Sequence, residues 1–154
     1  MKTRRLDNYG KINRDKILSF SWDKKNYKGY EGDTLASALL ANNIGIVGRS
    51  FKYHRPRGIF SSGVEESGAL VTIGSKDRRD PNVRATTQEL YNGLEASGQN
   101  AFPNVNFDLA GINNYLGRFF AAGFYYKTFM GIPPFEWGRG TAIWMFFEKF
   151  IRKA

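Results

Sequence analysis

Lys16-Ile17-Leu18-Ser19-Phe20-Ser21-Trp22-Asp23-Lys24-Lys25-Asn26-Tyr27-Lys28-Gly29-Tyr30 runs directly into Glu31-Gly32-Asp33-Thr34-Leu35-Ala36-Ser37-Ala38-Leu39-Leu40-Ala41-Asn42. The first half has strand character and the second has helix character. Lys16 to Asp23 alternates loosely and predicts a strand. Asp23-Lys24-Lys25-Asn26 predicts a polar turn, and Tyr27 to Tyr30 the returning strand of a hairpin. Asp33 reads as the N-cap of a short helix, its carboxylate placed to accept from first-turn amides. Leu35, Ala38, Leu39 and Asn42 fall at i, i+3, i+4 and i+7, so Leu35 and Leu39 are expected to face a sheet. Asn42-Asn43 is suited to end the helix in the left-handed region.

Beyond the helix, Ile44-Gly45-Ile46-Val47 reads as a third strand or a connector, and Ala69-Leu70-Val71-Thr72-Ile73 as a strand closed by Gly74-Ser75. Thr86 to Ala96 suggests the end of a strand and a short helix. Periodicity alone gives a small α+β domain. Residues 97–108, rich in Gly, Asn and Pro, predict irregular extended chain. Residues 119–150 hold twelve aromatics broken by Pro133-Pro134 and several glycines. Ile143, Phe146, Phe147, Phe150 and Ile151 then repeat at helical spacing, with Glu148, Lys149, Arg152 and Lys153 on the other face. That pattern predicts an amphipathic helix with cations in its last turn. No internal repeat is present.

The segment Gly58-Ile59-Phe60-Ser61-Ser62-Gly63-Val64-Glu65-Glu66-Ser67-Gly68-Ala69-Leu70-Val71 resembles the cluster-binding loop of a plant-type [2Fe–2S] ferredoxin. Such a loop needs a C-x4-C-x2-C run and a later fourth cysteine, because thiolates hold the irons. The four ligand positions fall on Ser61, Glu66, Ala69 and Thr86, and the chain has no cysteine. The loop reads as a ferredoxin frame without its metal. Gly29 to Asn42, together with Gly48-Arg49-Ser50-Phe51-Lys52-Tyr53-His54-Arg55-Pro56-Arg57-Gly58-Ile59, resembles the N-terminal region of the heterotetrameric sarcosine oxidase alpha-subunit family. Arg4-Arg5-Leu6, Ile12-Asn13-Arg14, Pro81 to Thr86, Ser97 to Asn100 and Ala122 to Met130 fit the same pattern. The Ser61–Ser67 loop and the tail from Phe135 to Ala154 depart from it.

The resemblance sharpens the fold to α+β of the β-grasp, ferredoxin-like kind, without an iron–sulfur cluster. It implies a ferredoxin-like domain over residues 1–100. An extended aromatic-rich arm over 101–154 would end in the amphipathic helix and lead toward a missing nucleotide-binding domain. It implies a part in a complex that oxidatively demethylates sarcosine to glycine, forming peroxide and passing a one-carbon unit to tetrahydrofolate. In that family the complex carries FAD, FMN and NAD. The implied partners are the remainder of the alpha subunit and the beta, gamma and delta subunits. Another amine or opine dehydrogenase complex of related architecture, or a free-standing basic binding protein, is the alternative.

Composition bounds these readings. At 154 residues the chain suits one domain with an arm, long enough to bury a core without staples. The absence of cysteine excludes disulfides, thiolate metal sites and a cysteine nucleophile. No apolar run approaches the roughly 20 residues that span a bilayer. Met1 to Asp7 is charged, with no apolar stretch behind it, so no secretory signal is expected and the expected location is cytoplasmic. The net charge of +9 suits an anionic cofactor, an acidic partner or nucleic acid, or simply a solvated basic surface. Nothing matches an RNP, helix-turn-helix, KH or zinc-knuckle pattern, so nucleic acid is not the expected partner. No G-x-G-x-x-G opens a helix, so the chain alone is not expected to bind a dinucleotide in the usual way.

Arg49, Ser50, Lys52, Tyr53, His54, Arg55 and Arg57 form a basic, aromatic segment that contains the sole histidine. Three readings stand for it: a loop pairing with neighbouring domains or subunits, a surface whose guanidinium groups contact a nucleotide-type cofactor, and a basic patch with interleaved aromatics for single-stranded nucleic acid. His54 has cations for sequence neighbours and no second ligand type beside it. Glu31 with Asp33, and Glu65 with Glu66, have the composition of acid–base pairs. Adjacent positions on a strand point to opposite faces, which argues against Glu65 with Glu66, and Asp33 is better explained as a helix cap. No catalytic residue and no metal site are expected.

Overall fold

The computed structural model describes residues 4–117. The aromatic segment beyond residue 117 and the helix expected around 143–151 lie outside the described residues.

The hairpin forms as expected, with a tighter turn. Strand β1 (Asn13–Trp22) pairs antiparallel with β2 (Lys25–Glu31), and the register runs from Trp22↔Lys25 through Leu18↔Gly29. The loop is therefore Asp23-Lys24 alone, both in the left-handed region at φ 46° and 66°. Two such residues match the right-handed twist of the flanking strands, so Lys25 and Asn26 join the ladder. Along β1, Leu18, Phe20 and Trp22 point into the core.

Helix α1 (Leu35–Ala41) lays Leu35, Ala38 and Leu39 on those side chains, all three fully buried. Its cap corrects the sequence expectation. Thr34 is the N-cap, and its hydroxyl accepts from the Ser37 amide at 3.2 Å. Asp33 sits one position earlier and is buried. Its carboxylate accepts from both Arg5 guanidinium nitrogens at 2.8 Å, the Tyr30 amide at 2.9 Å and the Ser37 hydroxyl at 2.7 Å. Arg5 takes the carboxylate because an ion pair outweighs a neutral cap contact. Asn43, at φ 62°, ends the helix in the left-handed region.

Residues 44–47 are a connector into a short ribbon, β3 (Gly48–Arg49) against β4 (Pro56–Arg57). Strands β5 (Leu70–Ile73) and β6 (Asp80–Arg84) pair antiparallel. The helix suggested within 86–96 does not form. The backbone there bonds to the start of α1 instead: the Leu35 amide donates to the Gln88 carbonyl at 2.8 Å and the Leu90 amide to the Asp33 carbonyl at 2.9 Å. The segment ends in strand β7 (Leu94–Ser97).

β7 makes the fold. It lies at the centre of the sheet, whose order is β2-β1-β7-β5-β6, parallel to β1 and antiparallel to β5. A hairpin, a crossing helix and a late central strand parallel to the first give a mixed sheet consistent with the β-grasp expectation. Leu94 and Ala96 complete the core with Val71, Leu90 and Ala85. Chain leaving β7 stays packed: Val105 is buried against Gly98.

Candidate functional site

Two loops on this frame carry the sequence-predicted residues. The first spans 49–57. Its turn closes on Ser50, whose amide donates to the Arg55 carbonyl at 2.9 Å and whose hydroxyl accepts the Arg55 amide at 3.0 Å. His54 adopts φ 53° within it. The ribbon is tied to the core end of β7. The Arg49 amide donates to the Gln99 carbonyl at 3.0 Å, and the Asn100 side chain donates to the Arg49 carbonyl at 3.1 Å.

The side chains of this loop divide by direction. Arg49 turns inward: its Nε donates to the Val105 carbonyl and its Nη1 to the His54 carbonyl, both at 2.9 Å. His54 Nδ1 lies 2.8 Å from Asp108 Oδ2, and Arg49 Nε lies 3.7 Å from the same oxygen. Asp108 is fully shielded at its side chain. Its other oxygen accepts the amides of Phe102 and Ala110 at 3.0 and 3.2 Å. Burying a carboxylate demands this many partners, because an unpaired one would be driven neutral. Lys52 and Arg55 both lie over the Tyr53 ring, 4.9 and 4.7 Å from its centroid. Arg55 Nε also donates to the Asn114 side chain at 3.0 Å. Arg57 is exposed on β4, at a shallow groove shared with Ser67, Gly68, Asn82 and Asn100.

Asp108 is the residue the sequence did not announce. It stands 54 positions from His54 in a stretch without periodicity, so no spacing rule links them.

The second loop spans residues 58–69, and it closes around Glu66. That carboxylate is buried at 2% exposure. Its Oε2 accepts the amides of Phe60 and Ser61 at 2.6 and 2.7 Å. Its Oε1 accepts the amide of Ala69 at 3.1 Å and that of Gly68. Burial alone would raise the carboxyl's pKa, but the four amides, Ser61 first, outweigh it and hold it at about 2. Thr86 Oγ1 donates to the Gly63 carbonyl at 2.8 Å and Arg84 Nε to the Glu66 carbonyl at 3.2 Å, which fastens the loop to the end of β6.

Ser61, Glu66, Ala69 and Thr86 therefore do converge on one loop, but not as ligands. Ser61 and Ala69 offer backbone amides, Thr86 a hydroxyl, and Glu66 an acceptor that is already fully engaged. The loop is also shut. A Cβ placed on Gly68 would stand 2.7 Å from the Gly58 carbonyl and 2.8 Å from the Phe60 ring. A [2Fe–2S] group does not fit these residues, either by donor set or by room. Among the described residues, no three acidic or histidine side chains are grouped to hold a metal ion. Glu31 is exposed, its pKa lowered chiefly by its contact with Lys16. No helix among the described residues is long and apolar enough to cross a membrane.

Residues 15–101 match the family described as the 2Fe-2S iron–sulfur cluster binding domain. The sarcosine oxidase alpha subunit of Rhizobium meliloti (strain 1021) is 55% identical over 134 residues, 87% of this chain and 14% of that protein. The sarcosine oxidase alpha subunit of Corynebacterium sp. (strain U-96) is 44% identical over 90 residues, 56% of this chain and 9% of that protein. The chain thus spans about a seventh or less of the length of these relatives. The crystal structure of L-proline dehydrogenase from P. horikoshii superposes with a TM-score of 0.47 at 25% identity, over 60% of this chain and 17% of that one, too loosely to carry an argument. The chain belongs to the family of 2Fe-2S iron–sulfur cluster binding domains, as a cysteine-less member similar to part of the alpha subunit of sarcosine oxidase.

Proposed function

We propose that this chain is a non-catalytic docking domain of a sarcosine oxidase alpha subunit. The complex it serves oxidatively demethylates sarcosine to glycine, forms peroxide and passes the one-carbon unit to tetrahydrofolate, in the cytoplasm. FAD, FMN and NAD sit elsewhere in that complex. The partners are the remainder of the alpha subunit and the beta, gamma and delta subunits.

One observation carries the docking role. Phe102, Phe107, Leu109, Ile112 and Tyr115 fall within fourteen consecutive positions, and each keeps 60% or more of its surface exposed. They stand on and just beyond the turn that Asp108 ties to loop 49–57. Apolar side chains gathered this densely on a fixed frame mark an interaction surface. The similarity to sarcosine oxidase alpha subunits supplies the partner: the cofactor-binding parts of the complex. The basic loop lies beside this ridge. Arg55 and Arg57 face outward there, placed to shape the edge of a site for an anionic nucleotide-type cofactor, while Arg49 and His54 hold the loop from within.

The test is isolation of the native assembly with an antibody to residues 29–59, followed by sarcosine-dependent peroxide formation. The double change Phe107→Asp with Ile112→Asp in the native polypeptide is expected to strip away partner subunits. Undiminished assembly would sink the docking role. An assembly that oxidises other amines and not sarcosine would move the domain to a different dehydrogenase complex.

A further inference from the structure

Around Glu66 the backbone amides of the 58–69 loop point inward from both flanks, Phe60 and Ser61 on one side, Gly68 and Ala69 on the other. Successive amides aimed at one point make an anion-binding concavity. In a loop that carries an iron–sulfur cluster, the inward hydrogen bonds run to the sulfurs of a negatively charged group. Here an anion of the chain itself occupies that place. We propose that the Glu66 carboxylate stands in for the iron–sulfur cluster, as the internal anion around which the loop folds.

Three observations support the exchange. The residue lies at one of the four positions where a cluster loop carries a ligand, so its side chain starts from the right place to reach the centre. It engages the two flanks with separate oxygens, bridging 60–61 to 68–69 as a cluster bridges its ligands. The remaining ties are outside the carboxylate: Thr86 holds Gly63, and Arg84 holds the Glu66 carbonyl. Without an anion at the centre, four inward amides would lose their acceptor, two of them buried and two part-buried, a state that folded proteins avoid. The inference concerns the loop alone and holds whichever assembly the chain serves.

The experiment uses the full chain in three forms: native, Glu66→Ala and Glu66→Gln. Melting is followed at constant ionic strength in chloride and in formate. The native chain is expected to be indifferent to formate. Glu66→Ala is expected to melt lower in chloride and to recover much of the loss in formate, which re-supplies the carboxylate. Glu66→Gln is expected to melt lower and stay there, because its amide group fills the concavity and sets N–H against N–H. A Glu66→Gln chain as stable as the native one, or a Glu66→Ala chain that formate stabilises no more than it does the native chain, overturns the proposal. If Glu66→Ala does not fold, hydrogen exchange decides: the Ser61 and Ala69 amides should exchange at least about tenfold faster in Glu66→Gln than in the native chain. Unchanged exchange refutes the idea. So does uptake of iron by the native chain on incubation with iron and sulfide.

Discussion

Replacing Asp33 by Asn keeps the shape of the side chain and removes its charge. The carboxylate accepts four hydrogen bonds from three residues. Arg5 grips both oxygens at 2.8 Å, the Tyr30 amide donates to Oδ2 and the Ser37 hydroxyl to Oδ1. An Asn offers one acceptor oxygen, so in either orientation its NH2 faces one nitrogen of the Arg5 fork, together with the Ser37 hydroxyl at the Oδ1 position or the Tyr30 amide at the Oδ2 position. Charge-assisted bonds contribute about 1.5–3 kcal/mol, and a buried donor left unpaired costs about 1–3 kcal/mol. Arg5 keeps some contact with solvent, which trims the sum, so a loss of about 3 kcal/mol is expected. For a chain of 154 residues that corresponds to a fall in Tm of roughly 6–12 °C. Urea unfolding followed by tryptophan fluorescence reports it directly, since Trp22 is buried in the core. The slope should be unchanged and the midpoint lowered. On an Arg5→Leu background the same change should cost markedly less, because the two residues share one interaction. A single-mutant cost below about 1 kcal/mol, or full additivity in the double mutant, would refute the reasoning.

Acid should weaken the domain through Glu66. Its folded pKa of about 2 lies below the ordinary 4.5, so its contribution is complete above about 4.5 and fades as the pH falls toward 2. Melting followed across that window should show a decline that is smaller in Glu66→Gln, and equal declines would contradict the assignment. Gly98→Ala places a Cβ 2.0 Å from Val105 Cγ1 and 3.2 Å from the Val47 carbonyl. A buried, β-branched neighbour has little room to yield, so a loss of about 1–3 kcal/mol in urea unfolding is expected. Asp108→Asn should loosen the 49–57 loop and the 102–111 turn together, with an unfolding cost of about 2–4 kcal/mol. Limited proteolysis should then cut both segments at similar rates, and protection of either one would break the proposed coupling.

The parts of the fold that follow a local period were legible in the sequence. The β1–β2 hairpin and the buried face of α1 rest on alternation and on i, i+3, i+4 spacing, and both are found. What escaped depends on distance along the chain. The four residues of β7 look no more like a strand than their neighbours do, and they become one by sitting between β1 and β5. Thr34 displaces Asp33 as the cap because Arg5, far back in the chain, claims the carboxylate. The site divides in the same way. The ferredoxin spacing pointed to Ser61, Glu66, Ala69 and Thr86 as one group, and the four do meet. Spacing could name Glu66 as a missing thiol but not as an acceptor for four amides, since those bonds exist only once the loop has closed. Asp108 lay beyond reach for the reason that hides any tertiary pair: nothing near His54 or near Asp108 encodes the other.

The place of β7 also sets an order of events during synthesis. Phe20, Ser21 and Trp22 on β1 find their parallel partners in Leu94, Glu95 and Ala96. A ribosome that has just released the hairpin and helix has therefore delivered an unfinished sheet, with Phe20 and Trp22 half covered and one edge of β1 open to any passing strand. Pairings between residues so far apart form slowly, because the intervening chain must first be gathered in. β7 is the keystone, set last. A chain truncated before it is not a smaller copy of this domain but an arch without its crown, and it invites the company of other strands.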